Sequence, residues 1–104
     1  MDSTRESAAD LLGDRIRHAR VALGLSQEAI AGLAGMHVTN YGKIERGTAN
    51  PSLLTIVRIA VVLGTDVAAL TQDITREHLP EDVRVLSAHD FLAERRRRAR
   101  RGKT

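Results

Sequence analysis

The 104-residue chain contains no cysteine and no tryptophan, and it has only one phenylalanine and one tyrosine. Without cysteine it can form neither disulfides nor zinc sites built from thiolates. A core with so few aromatic rings must be aliphatic, which suits small helices in close contact. No apolar run approaches the roughly 20 residues of a membrane span, and the first residues lack a signal-peptide pattern. We therefore predict a cytoplasmic protein with one modest core and no membrane segment.

Patterns of catalytic or metal-binding residues are missing as well. His18, His37, His78 and His89 do not have the spacing of metal ligands, and no glycine-rich loop suits a phosphate. No nucleophile stands beside a base in the sequence. We predict that the chain is not an enzyme and uses neither a cofactor nor a metal.

Positive charge is concentrated at the end of the chain. Residues 1–93 contain nine Lys or Arg and twelve Asp or Glu, whereas residues 94–104 contain seven and one. A dense arginine run repels itself and is often disordered. Near DNA, the same run becomes an arm that releases counterions.

The stretch from Ser26 to Gly47 predicts two short helices joined by a tight turn. Its apolar residues have the three- and four-residue spacing of an inward-facing helical stripe. Ser26 is a good N-cap for the first helix. Gly35 can end it, because glycine readily adopts the left-handed conformation of a sharp turn. The second helix is predicted from about His37 to Glu45. The apolar positions are Ile30, Leu33, Ala34, Met36, Val38, Tyr41 and Ile44.

This helix-turn-helix pattern resembles the Cro/Xre (lambda-repressor-like) family of DNA-binding domains. Gln27 matches the family's opening residue, Ala31 follows four residues later, and Gly35 matches the turn glycine. The second helix closes with the family's Lys-Ile-Glu-x-Gly pattern at residues 43–47. The flanking stretches LGDRIRHARVALGLSQ and NPSLLTIVRIAVVLGTDVAAL resemble the family's first helix and its fourth and fifth. The resemblance implies an all-α fold, a five-helix lambda-repressor-like domain.

Four segments are predicted along the chain. Residues 1–8 are a flexible N-terminal arm, and residues 9–71 form the helix-turn-helix domain. Residues 72–86 are a connector, and residues 87–104 form a basic C-terminal helix or tail, with Ser87 as a candidate N-cap.

Within the domain, the outer helices are predicted from local caps and periodicity. The first helix covers about residues 9–23. The fourth covers about 53–63 after Ser52, and the fifth covers 66–70 after Thr65. The residues predicted to face the core from these helices and their loops are Leu12, Ile16, Ala19, Leu23, Leu25, Ile56, Val57, Ile59, Ala60 and Leu63.

Residues of the second hairpin helix that point away from the core can reach a DNA major groove. Asn40 can bond adenine through two hydrogen bonds, Thr39 can contact a base, and Lys43 can reach guanine or a phosphate. Gln27, at a helix N-terminus, would meet a phosphate with help from the helix dipole. The residues predicted to contact DNA are Gln27, His37, Val38, Thr39, Asn40, Lys43 and Arg46.

The resemblance also implies a structural ion pair between Arg20 and Glu45 that fixes the recognition helix. Three residues depart from the family pattern. His37 replaces a better N-cap. Tyr41 replaces an aliphatic residue, and its hydroxyl is expected to seek water or a phosphate. Gly42 costs about 1 kcal/mol in a helix, and its missing side chain either allows close approach of the backbone to DNA or reflects sequence drift.

The predicted fourth helix carries more apolar residues than one core face needs. Leu54 and Val61 are seven residues apart and share a face on which polar residues would be expected. Either a second copy of the chain or the chain's own C-terminal segment could cover this surface.

The favoured function is a sequence-specific transcriptional regulator, above all a repressor. It would bind a near-palindromic operator in double-stranded DNA as a homodimer. The alternative is an antitoxin that represses its own operon and binds a protein partner, a toxin, through its C-terminal segment. A third hypothesis is a non-specific nucleoid-type protein that binds DNA with its arginine tail.

Overall fold

A computed structural model of the chain describes residues 6–83 and 85–102. Residues 1–5 of the predicted arm and residues 103–104 of the predicted tail lie outside them. The helices are α1 (Ala8–Leu23), α2 (Gln27–Leu33), α3 (Val38–Glu45), α4 (Leu53–Leu63), α5 (Val67–Thr71) and α6 (Ala88–Gly102), and a 3-10 turn (Arg76–His78) follows α5. No strand occurs among the described residues, and the predicted all-α class is confirmed.

The start of α1 is defined by a capping box that extends the helix by one residue beyond the prediction. The Asp10 amide donates to Ser7 Oγ at 3.0 Å, and the Ser7 amide donates to Asp10 Oδ2 at 3.2 Å. Two otherwise unpaired donors are thereby satisfied. Ala8 is therefore the first helical residue rather than the last residue of an arm.

The observed N-cap residues of α2 and α4 are the predicted ones, whereas the N-cap residue of α5 differs from the prediction. Ser26 and Ser52 accept hydrogen bonds from backbone amides three residues on, as predicted. The prediction that Thr65 caps the fifth helix is wrong. Asp66 Oδ1 accepts from the Ala69 amide at 2.8 Å, so Asp66 is the N-cap and α5 begins at Val67. A carboxylate is a strong N-cap because it also lies at the positive end of the helix dipole.

One aliphatic core joins α1 to α5. Helix α1 packs against α3, α4 and α5, and α2 packs against α3 and α4. Arg15 Nη1 donates to the Leu70 carbonyl at 3.1 Å, which ties α1 to the end of α5. The buried apolar residues are Leu12, Ile16, Ile30, Ala31, Ala34, Tyr41, Ile44, Ile59, Ala60, Leu63 and Leu70.

Leu33 and Val38 of the predicted inward stripe are 69% and 38% exposed, and three further residues predicted to face the core are exposed as well. Leu23 and Leu25 flank the left-handed Gly24, where the chain leaves α1, and remain at the surface of that turn. Val57 is 40% exposed. The buried stripe of α4 runs through Ile59, with Ile56 half-buried, and Val57 is rotated about 100° from Ile56 on the helix.

A close approach between α1 and α3 depends on Gly13, a residue that the periodicity did not single out. A Cβ atom at this position would overlap the carbonyl oxygens of Ile44 and Glu45 and would lie 2.8 Å from the carbonyl carbon of Glu45. The last turn of α3 therefore rests directly on the backbone of α1.

Helix α6 extends away from this core and buries none of its described side chains. The molecule measures 67 × 32 × 21 Å, and its radius of gyration is 18.9 Å. A compact domain of this length would have a radius of about 13 Å. Among the described residues, no helix combines the length and the apolar character needed to cross a membrane.

Candidate nucleic-acid interface

The inward face of α3 is buried and carries the tyrosine. The Tyr41 ring is fully buried, and its hydroxyl donates to Glu45 Oε2 at 2.5 Å. The expectation that this hydroxyl seeks water or a phosphate is wrong. A buried phenol requires a hydrogen-bond partner, and the carboxylate one helical turn on provides it.

Glu45 is the centre of a hydrogen-bond network that joins three helices. Arg20 of α1 donates from Nε to Glu45 Oε2 at 2.7 Å and from Nη2 to Oε1 at 3.1 Å. Gln27 of α2 donates from Nε2 to Glu45 Oε1 at 2.9 Å. The structure thus brings Arg20 and Glu45 into the two-bond geometry that the resemblance implied. Arg20 also donates to the Leu25 carbonyl at 2.9 Å, so one guanidinium fixes both α3 and the turn before α2.

The network keeps Glu45 ionised and Tyr41 protonated. Burial by itself favours the protonated carboxyl, but hydrogen bonds from Arg20, Tyr41 and Gln27 outweigh it and lower the pKa of Glu45 below its ordinary value. Burial, and then the hydrogen bond to Glu45, raise the pKa of Tyr41 well above its ordinary value. The hydrogen bond to Glu45 raises the pKa of Arg20 as well. Each group is held in the protonation state that the network requires.

Gln27 has a structural role that the sequence interpretation missed. Its side chain is half-buried, and one N–H of its amide is used by Glu45. The second N–H of the amide can still donate to a phosphate. The contact between Gln27 and DNA therefore stays a prediction, while the contact with Glu45 is part of the structure.

The gap left by Gly42 is filled by side chains of the protein itself. Gly42 is buried, and a Cβ atom there would lie 3.1 Å from Arg46 Nη1 and 3.5 Å from Gln27 Oε1. A direct approach of the Gly42 backbone to DNA would therefore require the Arg46 side chain to move aside. An added methyl group would require the exposed Arg46 side chain, whose guanidinium lies across the helix, to shift by a few tenths of an ångström.

The outward face of α3 has the opposite character. His37 occupies the N-cap position without a side-chain cap bond, as its chemistry suggested. Thr39, Asn40 and Lys43 are exposed, and the first and last of them are one helical turn apart. Val38 is 38% exposed. These side chains offer hydrogen-bond donors, acceptors and methyl groups along one edge of a helix whose other face is buried and hydrogen-bonded to α1 and α2.

A separate apolar patch lies on α4 and the end of α2. Leu54 is 62% exposed and Val61 is 72% exposed. Leu33 and Val57 are exposed too, and with Val61 they line a shallow groove. Within the described part of the chain, α6 leaves Leu54 and Val61 uncovered. The sequence left two candidates for covering this patch, a second copy of the chain and the chain's own C-terminal segment. In this structure the described part of the C-terminal segment does not cover it.

The fold and this exposed helix define a class of protein. Residues 16–70 match the family model described as helix-turn-helix, which is more than half of the chain. The chain belongs to this helix-turn-helix family of Cro/Xre-like, DNA-binding transcriptional regulators. The lambda-repressor-like fold expected from the sequence is thereby confirmed.

Particular relatives are control proteins and phage repressors. The chain is 34% identical over 73 residues to control protein C.SmaI of Serratia marcescens, covering 70% of this chain and 83% of the relative. It is 30% identical over 83 residues to the cryptic phage CTXphi transcriptional repressor RstR of Vibrio cholerae, with coverages of 77% and 75%. A similar solved structure is the restriction-modification controller protein C.AhdI of Aeromonas hydrophila. The TM-score is 0.58 and the sequence identity is 39%, and the match covers 60% of this chain and 94% of the C.AhdI chain.

Proposed function

We propose that this protein is a repressor that binds a near-palindromic DNA operator as a homodimer and reads its bases with α3. The observation that carries the proposal is the contrast between the two faces of α3. The inward face is held by Tyr41, Ile44 and Glu45, and the outward face presents Thr39, Asn40 and Lys43. The relative RstR of Vibrio cholerae is a transcriptional repressor, which supports repression by this protein.

The outward side chains have distinct roles in this proposal. Asn40 bonds adenine, Thr39 contacts a neighbouring base, and Val38 packs against a thymine methyl group. Lys43 reaches guanine or a phosphate. The remaining contacts are with the backbone and position the helix: they come from Arg46, His37 and the second N–H of Gln27. We infer that the protein acts by binding DNA in the cytoplasm and does not catalyse a reaction.

Alanine substitution on α3 tests the base-reading role. After the operator has been selected from random DNA, Thr39→Ala and Asn40→Ala should each weaken operator binding by about 1–3 kcal/mol and relax specificity at particular bases. The unfolding free energy should not change, because both side chains are exposed. Gln72→Ala, an exposed residue just after α5, is the matched control and should bind normally. Full affinity and specificity in both α3 variants would mean that another face docks.

The apolar patch on α4 supports assembly of two copies. A two-fold dimer would place two α3 helices in successive major grooves, about 34 Å apart. Leu54→Glu or Val61→Glu should weaken dimerisation in sedimentation experiments, and thereby operator binding, while the monomer stays folded. Val21→Glu is the matched control, because Val21 is 56% exposed on α1 and does not line the groove. A wild-type monomer at high concentration, both free and on DNA, would contradict the dimer.

A further inference from the structure

Helix α6 carries a dense positive charge that has no part in the base contacts proposed for α3. It is helical although six of its fifteen residues are arginines. All six are exposed, and at 100° per residue they point to every side of the helix. The arginines are Arg95, Arg96, Arg97, Arg98, Arg100 and Arg101.

The conformation of α6 follows from local contacts. The Asp90 amide donates to Ser87 Oγ at 3.0 Å, which caps the helix. Glu94 forms ion pairs with Arg97 and, at 3.5 Å, with Arg98. The guanidinium of Arg95 lies 5.7 Å from the centre of the Phe91 ring. The arginine-rich end is also the negative end of the helix dipole, so its charge stabilises the helix.

Much of this charge is not neutralised within the protein. Glu94 is the single acidic residue among residues 91–102, and the two ion pairs that it forms already involve two arginines. Neither Arg96 nor Arg100 forms a hydrogen bond or ion pair with any residue of the described ranges. A partner helix or insertion into a membrane would require a continuous apolar stripe. The arginine end of α6 has only Ala99 and Gly102 as residues without charge. A polyanion that can be approached from any side fits this surface better.

The rest of the molecule has the wrong charge for long-range attraction to DNA. Residues 6–83 contain seven Lys or Arg and ten Asp or Glu. Duplex DNA carries about one negative charge per 1.7 Å of its axis, and binding draws much of its affinity from phosphate neutralisation. Lys43 and Arg46 are the cations at the outward edge of α3. They cannot by themselves offset the acidic body.

We propose that α6 is a second DNA-binding element, an arm that contacts phosphates of the duplex beside the bases that α3 reads. This proposal rests on the proposed function of α3. A helix of fifteen residues is about 22 Å long, close to the length of six base pairs. Because α6 extends from the core and buries no side chain, it can follow the duplex without disturbing α1–α5. The arm adds affinity and association rate, and α3 alone adds base preference.

The test uses the full-length chain with Arg95, Arg96 and Arg100 all changed to Gln. Glutamine is also a good helix former, and no core contact is lost, so the fold should persist. Non-specific affinity is measured as a function of salt concentration. Each lost phosphate contact should flatten the slope of log affinity against log salt by about 0.9, which gives two to three units per chain. Affinity for random duplex DNA at low salt should fall at least about tenfold. A matched triple Arg→Lys variant keeps the charge and should keep the slope.

Four results decide between this proposal and its rivals, and the last of them also tests the role of α3. An unchanged slope in the Gln variant would overturn it and leave a protein partner for α6. A folded RNA that competes more than tenfold better than duplex DNA for the intact chain, but not for the Gln variant, would also overturn it in favour of RNA. A retained ratio of operator to random-DNA affinity in the Gln variant would support it, because base reading resides in α3. If Asn40→Ala left that ratio unchanged while the slope effect persisted, the role of α3 would fail and the role of α6 would stand.

Discussion

The two faces of α3 differ in almost every physical property although they belong to one helix of eight residues. On the inward face, Tyr41 and Glu45 are buried and joined by a 2.5 Å hydrogen bond, and Arg20 holds the carboxylate from α1. On the outward face, Thr39 and Asn40 are exposed. A helix can recognise bases in DNA only if the rest of the protein holds it rigidly, because a small displacement would misplace every base contact. In the proposed function, stability and base specificity therefore belong to opposite sides of the same helix.

The largest expected effect comes from disrupting the packing of the inward face of α3 against Gly13 of α1. In Gly13→Ala the added methyl group would overlap the last carbonyl groups of α3, so α1 and α3 must separate. We expect a loss of about 3 kcal/mol in the free energy of unfolding, measured by urea denaturation, with operator affinity falling as α3 is displaced.

A matched control exists in α2. Gly32 is exposed, and a Cβ atom there would meet no heavy atom within 4 Å. Gly32→Ala should therefore stabilise the protein by up to about 1 kcal/mol through helix propensity. If Gly13→Ala were as well tolerated as this control, the close packing of α1 on α3 would be wrong.

A smaller effect is expected when the phenol hydroxyl is removed. Tyr41→Phe keeps the ring in the core but deletes the hydrogen bond to the charged Glu45. The unfolding free energy should fall by about 1.5–3 kcal/mol. Operator affinity of the folded protein should be nearly unchanged, since Arg20 and Gln27 still hold Glu45. Asn40→Ala should give the reverse pattern. Loss of specificity without loss of stability in Tyr41→Phe would show that the hydroxyl contacts DNA.

The smallest effect is a shift in the titration of the Tyr41 phenol, which tests the burial of the inward face of α3 without a mutation. Tyr41 is the chain's single tyrosine and there is no tryptophan, so phenolate absorbance reports this residue alone. Its pKa in the folded state is raised by burial and by Glu45 above the unfolded value of about 10. The corresponding stability is complete below about pH 10 and is lost as the pH rises through the folded pKa.

Phenolate absorbance should therefore be absent in the folded protein at about pH 10 and should appear together with the loss of helical circular dichroism. The urea-unfolded chain is the control and should titrate near 10. Titration near 10 with intact helices would place the hydroxyl in water and contradict the buried network.

The core helices and helix α3 could be predicted from the sequence because their signals are local. Apolar spacing identified the inward stripe of α3, and Ser26, Ser52 and Gly35 marked helix ends through bonds that reach at most about one turn. The exposed position of Thr39, Asn40 and Lys43 followed from the same periodicity.

What only the tertiary structure decided involves residues far apart in the chain. The partners of Glu45 include Arg20 and Gln27, which are 25 and 18 residues away, and the glycine beneath Glu45 is Gly13. Helical periodicity states which side of a helix is buried, but it does not state which atoms it meets there. Those contacts depend on the distance and angle at which helices cross. For this reason Tyr41 could be assigned to the buried stripe from its spacing, while the destination of its hydroxyl could not.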